Sequence, residues 1–164
     1  AEALVENRVT GIAYELVQTA TGRLPLLEPM SEVAGKLAIL VGGYHLLSQN
    51  GGRGLLCAPI LGVAPATVVV VGGGIAGRAA AEMAAGMGNK VIMLEKSQDR
   101  MRELSARFGS SVEVLHSTDA SVAREAAKAD ILVGAVLVPG AKAPMVIKRD
   151  NIKAMKKNSI FVDI

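Results

Sequence analysis

The chain has 164 residues, of which 51% are hydrophobic and 20% charged, and its formal net charge is +3. The apolar content is ample for a packed core and excludes a disordered chain. That core must be mostly aliphatic, because the sequence has two Phe, two Tyr and no Trp. The Lys and Arg residues are scattered along the chain, so nucleic acid is not expected as a partner. The length fits one domain, or one domain with a piece of another.

Cysteine content and hydropathy indicate the cellular setting. A single cysteine, Cys57, excludes an internal disulfide and fits a reducing cytosol, so we expect a cytoplasmic protein. The longest apolar stretch before the glycine-rich region, Val33 to Leu47, contains Lys36 and His45 and is shorter than the ~20 residues that a membrane helix needs. We therefore expect no membrane contact.

The first 66 residues are predicted to form a helical connector. An amphipathic stretch over 1–20 leads into a turn at Thr21–Pro25. Apolar residues then recur with the 3.6-residue period of a helix, with Ser31 as the expected N-cap and Glu32 in the first turn. This segment is too small for a core of its own, so we expect it to pack against the rest of the chain or to join it to another region.

From residue 67 onward, short β-branched runs alternate with helical patterns, and strands recur every ~20–25 residues as in βαβ units. The predicted strands are Thr67–Val71, Lys90–Leu94, Val112–Leu115, Ile131–Val136 and Ser159–Ile164. The predicted helices are Ile75–Met87, Asp99–Phe108, Ser121–Ala129 and Arg149–Met155. The strands show no alternation with polar residues, as expected when helices cover both faces of a sheet. The sequence predicts an α/β fold with a Rossmann-like, doubly wound parallel sheet.

The first predicted strand runs into a glycine motif, Gly72-Gly73-Gly74-Ile75-Ala76-Gly77, which satisfies G-x-G-x-x-G between a strand and a helix. Such glycines allow a tight turn, close approach of a pyrophosphate and close contact between helix and strand. The following helix start presents N–H groups and its positive dipole end to phosphates. The alternative is a glycine-rich turn in a domain without a ligand. We predict a dinucleotide site that includes Gly72, Gly74, Ile75, Ala76 and Gly77.

Glu95 follows the second predicted strand, at about the ~20-residue interval after the motif where dinucleotide-binding folds carry an acidic residue. A carboxylate there accepts hydrogen bonds from the adenosine ribose and disfavours a 2′-phosphate, which predicts NAD as the cofactor rather than NADP. Lys96 and Arg100 stand close by and would soften this repulsion, so NADP stays open. The other interpretation of Glu95 is a solvated surface glutamate.

Two further loops follow predicted strands, at the edge where open α/β sheets bind ligands. The loop over 134–144 contains two prolines and two glycines and should overhang the cofactor. Within it, Lys142 is either a phosphate or partner contact or a solvent-exposed lysine. The loop over 116–119 brings small hydroxyls towards the adenine or the ribose. His45 is interpreted as a surface or interface histidine. No catalytic triad, carboxylate pair or metal-ligand spacing is readable, so we nominate no catalytic residue and no metal site.

The motifs together resemble alanine dehydrogenase, in matching order and spacing from about Val9 to Ile164. The strings that carry the resemblance are the glycine motif, Met30–Gly35, Asn50–Gly54, Gly62–Ala66 and Gly134–Pro144. The resemblance implies NAD-linked, reversible oxidative deamination of L-alanine to pyruvate and ammonia by a two-domain enzyme, commonly a hexamer. It also implies that 1–66 belongs to an incomplete substrate domain and interdomain helix. Residues 67–164 would then be the NAD-binding domain, incomplete at its C-terminus.

The resemblance assigns roles to single positions. Ser31 matches a serine that contacts the cofactor from the interdomain helix, and Glu95 stands where the family usually has aspartate. Ser117, Val138 and Ile164 match cofactor-lining positions. The family's substrate-binding arginine and lysine and its catalytic histidine belong to an amino-terminal region, and its catalytic aspartate would follow the last residue here. We therefore expect the chain alone to bind NAD without turning over alanine.

Two other functions stay open at this point. The NAD(H)-binding subunit of proton-translocating transhydrogenase shares much of the pattern, but its connection after the second strand is usually longer than Lys96–Ser111. A non-catalytic dinucleotide-binding module is the other alternative. The chain begins in a helix-like stretch and ends within an apparent strand, so we expect a piece of a longer protein.

Overall fold

The computed structural model describes residues 2–137 and 145–164. Its strands are β1 Thr67–Val71, β2 Lys90–Glu95, β3 Val112–His116, β4 Ile131–Gly134 and β5 Ile160–Asp163. Its α-helices are α1 Glu2–Glu6, α2 Glu28–Leu46, α3 Ile75–Gly86, α4 Gln98–Phe108, α5 Asp119–Ala126 and α6 Arg149–Lys153. Short 3-10 turns lie at Tyr14–Leu16, Ser48–Asn50 and Gly109–Ser111.

The five strands form one parallel sheet in the order β3-β2-β1-β4-β5. The chain winds outward from β1 in one direction and then returns to add β4 on its other side. Crevices for ligands form at such a reversal, beyond the carboxyl ends of the strands. The predicted strands are confirmed, although β4 ends at Gly134 rather than Val136. After one more ladder bond, from Ala135 N to Val71 O at 2.8 Å, the chain leaves the sheet.

Alternate residues of each strand enter two separate cores. Val68 and Val70 pack with one aliphatic cluster that also receives side chains of α2, α3 and α4. Val69 and Val71 pack with a second cluster on the opposite face, which includes Val122 of α5. Both faces of the central strand are therefore buried, which explains its unbroken β-branched sequence. The predicted doubly wound arrangement is confirmed.

Helix α2 packs against α3 and shares its core. A Cβ at Gly35 would lie 2.0 Å from the Ala76 carbonyl oxygen, so only glycine allows the two helices to approach this closely. Ile39 and Leu46 are fully buried in the first cluster. The connector thus packs against the sheet region, as expected, while the division into domains 1–66 and 67–164 stays a prediction.

The start of α2 differs from the prediction. The helix begins at Glu28, and Ser31 N donates to the Leu27 carbonyl oxygen at 3.0 Å, so Ser31 is not the N-cap. The predicted boundary is wrong because Pro29 lies within the first turn, where its missing N–H costs no helical hydrogen bond. Among the described residues, no helix is both long and apolar enough to span a membrane.

Candidate cofactor-binding site

A cleft of about 630 Å³ opens at the carboxyl edge of the sheet. Its floor is formed by the loops that follow β1, β2, β3 and β4, and its opposite wall by residues between Gly22 and Ser31. Seven of the ten predicted cofactor residues line this one cleft: Ser31, Gly72, Gly74, Ile75, Ala76, Glu95 and Ser117. The structure therefore brings these seven residues together from four separate stretches of the chain. Their role as cofactor contacts stays a prediction.

The three motif glycines have different surroundings. Gly72 has a φ of +106°, and a Cβ there would lie 2.5 Å from the Ala135 carbonyl oxygen. A Cβ at Gly77 would lie 1.8 Å from the Gly72 carbonyl oxygen, so this glycine lets helix α3 rest against the loop. A Cβ at Gly74 would meet no atom within 4 Å. Gly72 and Gly77 shape the loop, whereas Gly74 faces open space on the cleft.

Helix α3 starts at the cleft without a capping side chain. Its N-cap is Gly74, and no side-chain hydrogen bond caps the first turn. The two helices that begin beside it are both capped: Ser97 accepts from Arg100 N in α4, and Thr118 accepts from Ser121 N in α5. Uncapped N–H groups at a helix start are a site for an anion. Among the helices that follow β1, β2 and β3, α3 is the one whose uncapped start is available for a phosphate.

The Glu95 carboxylate is held by backbone amides. Oε2 accepts from Gly73 N at 2.8 Å, while Oε1 accepts from Lys96 N at 2.7 Å and Ser97 N at 2.8 Å. The side chain is half-buried at the end of β2 and is thus not simply a solvated glutamate. Gly73 is a free position in the motif, and sequence reasoning missed its contact with Glu95. The run of three glycines was the one signal that this position is special.

On the opposite wall, Ser31 was the one predicted residue, and an ion pair there was not predicted. Arg23 donates from Nε and Nη2 to the two carboxylate oxygens of Glu28, at 3.0 and 2.6 Å. The hydrogen bond from Arg23 lowers the pKa of Glu28 below its ordinary value. Both side chains line the cleft, about fifty residues upstream of the glycine loop along the chain. A turn and a helix start carry no motif, so no sequence signal pointed to them.

The remaining candidates lie elsewhere. Ile164 does not line the cleft; its N–H bonds to the Gly134 carbonyl oxygen at 3.0 Å, continuing the ladder past β5. Val138 and Lys142 fall outside the described residues. His45 is exposed, with its ring edge-on to Tyr44 at 5.2 Å between centroids.

Cys57 is buried, and burial raises the pKa of its thiol, as suits a small core residue. Within residues 2–137 and 145–164, no three His, Cys, Asp or Glu side chains gather in a way that would hold a metal ion.

Comparison with known proteins agrees with the motifs. Residues 38–164 match the family described as "Alanine dehydrogenase/PNT, C-terminal domain". The alanine dehydrogenase of Methanococcus maripaludis is 47% identical over 163 residues, which are 99% of this chain and 44% of that protein. The solved structure of an L-alanine dehydrogenase superposes with a TM-score of 0.91 at 42% identity, covering 99% of this chain and 45% of the other.

A more distant structure shares the fold alone. The transhydrogenase of Sinorhizobium meliloti superposes with a TM-score of 0.77 at 23% identity, covering 97% of this chain and 47% of that one. The chain spans less than half the length of the relatives it matches. The resemblance inferred from the motifs is confirmed by the family match over 38–164, and the chain belongs to the alanine dehydrogenase/PNT C-terminal domain family.

Proposed function

We propose that the chain is the NAD-binding portion of an alanine dehydrogenase, an enzyme for the reversible oxidative deamination of L-alanine to pyruvate and ammonia. One observation carries the cofactor assignment: the uncapped start of α3 at Gly74 opens onto the cleft. The choice of enzyme is supported by 47% identity to an alanine dehydrogenase over nearly the whole chain. The transhydrogenase structure is 23% identical to the chain and therefore supports the fold alone.

The residues present fit a dinucleotide. N–H groups at Gly74, Ile75 and Ala76 would hold the pyrophosphate at the start of α3. The Glu95 carboxylate would accept from the adenosine ribose, which favours NAD. Ser117 lines the cleft next to Glu95, and its N–H already bonds to the Glu95 carbonyl oxygen at 2.9 Å.

Ser31 belongs to the opposite wall and would contact the cofactor from α2. The assignments of Val138 and Ile164 as further cofactor contacts stay predictions. A bound NAD would accept the hydride from the α-carbon of alanine, which is chemistry that belongs to the cofactor.

Within this chain, the residues bind and orient the cofactor. Turnover also requires that alanine be clamped at its carboxylate and that a proton leave its amino nitrogen. Positioning lowers such a barrier by about 7–11 kcal/mol at best, and acid–base assistance contributes roughly 10²–10⁴-fold. The cleft residues described above include no group we can assign to either task. The 164-residue chain alone should therefore bind NAD but not oxidise alanine.

Calorimetry with NAD and NADH absorbance with alanine test both parts of the proposal. The 164-residue polypeptide should bind NAD and form no alanine-dependent NADH above buffer. The whole protein that contains it should form NADH when alanine is added. Absence of NAD binding would contradict the cofactor assignment. Saturable alanine turnover by the polypeptide alone would reveal a catalytic group within it. That result would contradict the proposal that this chain binds NAD but does not oxidise alanine by itself.

We also propose that the protein is a homo-oligomer, a hexamer by family resemblance, and that α2 contributes one of its contacts. An exposed apolar stripe runs along α2: Met30, Val33, Leu37, Val41 and Tyr44. Its members lie symmetrically about Leu37, four and seven positions away on each side. A stripe with this symmetry suits antiparallel pairing with a second copy of itself about a two-fold axis. Such pairing also brings the exposed, acidic Glu32 end of one helix towards the His45 end of the other.

Leu37→Glu in the whole protein tests this contact, because two charges would meet at the centre of the pair. Light scattering should show a smaller assembly than in the wild type. Ile152→Glu, at an exposed apolar position of α6, is the matched control and should leave the assembly intact. An unchanged assembly would contradict the contact. If the assembly were unchanged but the Leu37→Glu variant were less stable than the wild type, another part of the same protein would cover the stripe.

A further inference from the structure

We propose that an apolar turn, residues 60–63, docks against the cleft wall of a second copy of the protein. The turn belongs to the connection between α2 and β1. The inference rests on the proposed NAD site and on the proposed pairing of α2. It goes beyond both, because one copy would then support the wall of the other copy's cleft.

The apolar turn has a defined shape and presents its side chains outward. Val63 N donates to the Ile60 carbonyl oxygen at 3.0 Å, and Gly62 has a φ of +79°, as suits the third position of a tight turn. Leu61 is fully exposed, and Ile60 and Val63 are each about half exposed. Tight turns are usually built from small or polar residues. Adjacent apolar side chains on a fixed turn therefore suit contact with a partner.

The base of the turn is fixed to two helices. A Cβ at Gly43 of α2 would lie 3.0 Å from the Cβ of Cys57, and a Cβ at Gly88 would lie 2.9 Å from Pro59. Asn89, which follows α3, donates from Nδ2 to the Cys57 carbonyl oxygen at 3.3 Å. The turn therefore projects from a base that is packed against the C-terminal end of α2.

Exposed leucines connect the turn to the apolar stripe of α2. Leu40 is about half exposed and precedes Gly43 by three positions, so the two are neighbours on the helix surface. Leu56, also about half exposed, precedes Cys57, which packs against Gly43. A stable interface uses about 20–30 residues on each side, many more than the five of the stripe. The surface leading to the turn would extend the α2 contact in this direction.

Antiparallel pairing of α2 about Leu37 decides what the turn would meet. Positions before Leu37 lie opposite positions equally far after it, so the C-terminal end of one helix lies beside the N-terminal end of the other. The turn, which is based at the C-terminal end, then faces the start of α2 in the second copy. Leu26 and Pro29 are exposed there. Apolar side chains would thus meet apolar side chains across the pair.

The start of α2 also forms the opposite wall of the cleft. Leu24, Leu27 and Ser31 line the cleft, while Leu26 and Pro29 alternate with them in sequence and are exposed. A turn seated on Leu26 and Pro29 would hold this wall in place before the cofactor arrives, which lowers the entropy cost of binding. Assembly and NAD binding would then be coupled, and each would strengthen the other.

Leu61→Asp in the whole protein tests the docking, because an aspartate at the tip of the turn would meet an apolar surface. Light scattering should show a smaller assembly than in the wild type at the same concentration. Calorimetry should show NAD binding weakened by about fivefold or more. Ile152→Asp, at an exposed apolar position of α6, is the matched control and should change neither result.

Cross-linking identifies the surface that the turn meets. A variant with both Leu26→Cys and Leu61→Cys should form a covalent dimer when a short bismaleimide is added, because position 61 of one copy lies near position 26 of the other. Each single substitution should give no covalent dimer, since like positions lie at opposite ends of the pair. The buried Cys57 is the same in all three proteins.

An unchanged assembly in Leu61→Asp would overturn the proposal, and lower stability with an unchanged assembly would mean that another part of the same protein covers the turn. A smaller assembly with wild-type NAD affinity would overturn the link to the cleft. A double variant that gives no covalent dimer would also count against the docking. NAD binding by the wild type is measured separately. Its absence would contradict the proposed function, whereas the assembly and cross-linking results do not depend on it.

Discussion

The two edges of the parallel sheet, at the amino and at the carboxyl ends of its strands, each carry an acidic side chain. Different kinds of group compensate the charge of these two side chains. At the amino edge, Asp130 is 3% exposed and accepts from Thr67 N at 2.9 Å. Its carboxylate also pairs with Arg53 Nε at 3.1 Å and Lys156 Nζ at 2.9 Å. The charge is cancelled by side chains, and the network joins the connector, the first strand and the approach to the last one. We call the amino edge the closed edge, because its charges are paired with one another.

The carboxyl edge, which we call the open edge because it carries the cleft, compensates its acidic side chain differently. Glu95 is half-buried and is held by the N–H groups of Gly73, Lys96 and Ser97, without an ion pair to any described residue. Lys96 lines the cleft and forms no ion pair with Glu95. A buried carboxylate must be compensated at either edge. Ion pairs with cations join distant parts of the chain, as at Asp130. Hydrogen bonds from backbone amides, as at Glu95, leave the nearby cations available to a ligand.

The largest effect should come from filling the close contact at the glycine loop. Gly77→Ala would place a methyl group 1.8 Å from the Gly72 carbonyl oxygen, which is backbone and cannot move aside cheaply. We expect about 3 kcal/mol or more of lost unfolding free energy, at the upper end for overpacking, and loss of NAD binding. Gly86→Ala is the control, because a Cβ there meets nothing within 4 Å. It should leave stability equal or slightly higher in denaturant titrations.

Asp130→Ala should break the closed edge without touching the open one. Thr67 N would lose its acceptor, and Arg53 and Lys156 would lose their partner, although both side chains can reach solvent. We expect the free energy of unfolding to fall by about 2–3 kcal/mol. NAD affinity, measured under folded conditions, should stay within about twofold. A large loss of affinity would mean that the two edges are coupled, and the contrast between them would fail. Asp150→Ala, at an exposed position, provides the control for charge.

Gly74→Val should weaken NAD binding and leave the fold unchanged, the opposite of Asp130→Ala, because it acts on the open edge alone. The valine side chain would project into the space where a pyrophosphate must approach the backbone. The extended backbone at Gly74 tolerates a branched residue, and its Cβ meets no protein atom. NAD should bind at least about tenfold more weakly, or about 1.4 kcal/mol, while circular dichroism stays unchanged. Unchanged affinity would remove the loop from the cofactor site.

The smallest effect concerns a second buried acid towards the amino edge. Burial of Glu125 opposes its ionisation, but hydrogen bonds from Lys128 and Arg124 outweigh burial and lower its pKa. A lowered folded pKa contributes stability above the ordinary value of about 4.3, and this contribution is lost as pH falls through the folded pKa. Glu125→Gln should cost about 1 kcal/mol at pH 7. Denaturant titrations below pH ~4 should show a smaller difference. A cost independent of pH would mean that packing, not charge, holds this residue.

Much of the fold could be predicted because its signals are local. An aliphatic, β-branched run such as Thr67–Val71 is suited to a strand buried on both faces. The glycine motif and Glu95 then follow at spacings that reflect one strand–helix–strand unit. These patterns placed every strand within a residue or two. A predicted helix boundary differs from the observed one where a residue had two possible roles. Ser31 could cap a helix or continue one that had already begun at Glu28.

The sequence by itself thus determined which segments are strands, which loop carries the glycine motif, and to which family the chain belongs. Only the tertiary structure decided which groups meet. Gly73 and Glu95 are 22 positions apart, and the bond between them uses a backbone N–H that every residue except proline possesses. Asp130 and Arg53 meet from 77 positions apart through side chains common on any surface. Such pairings carry no local pattern, because they depend on the sheet order and on helix α2 lying across α3.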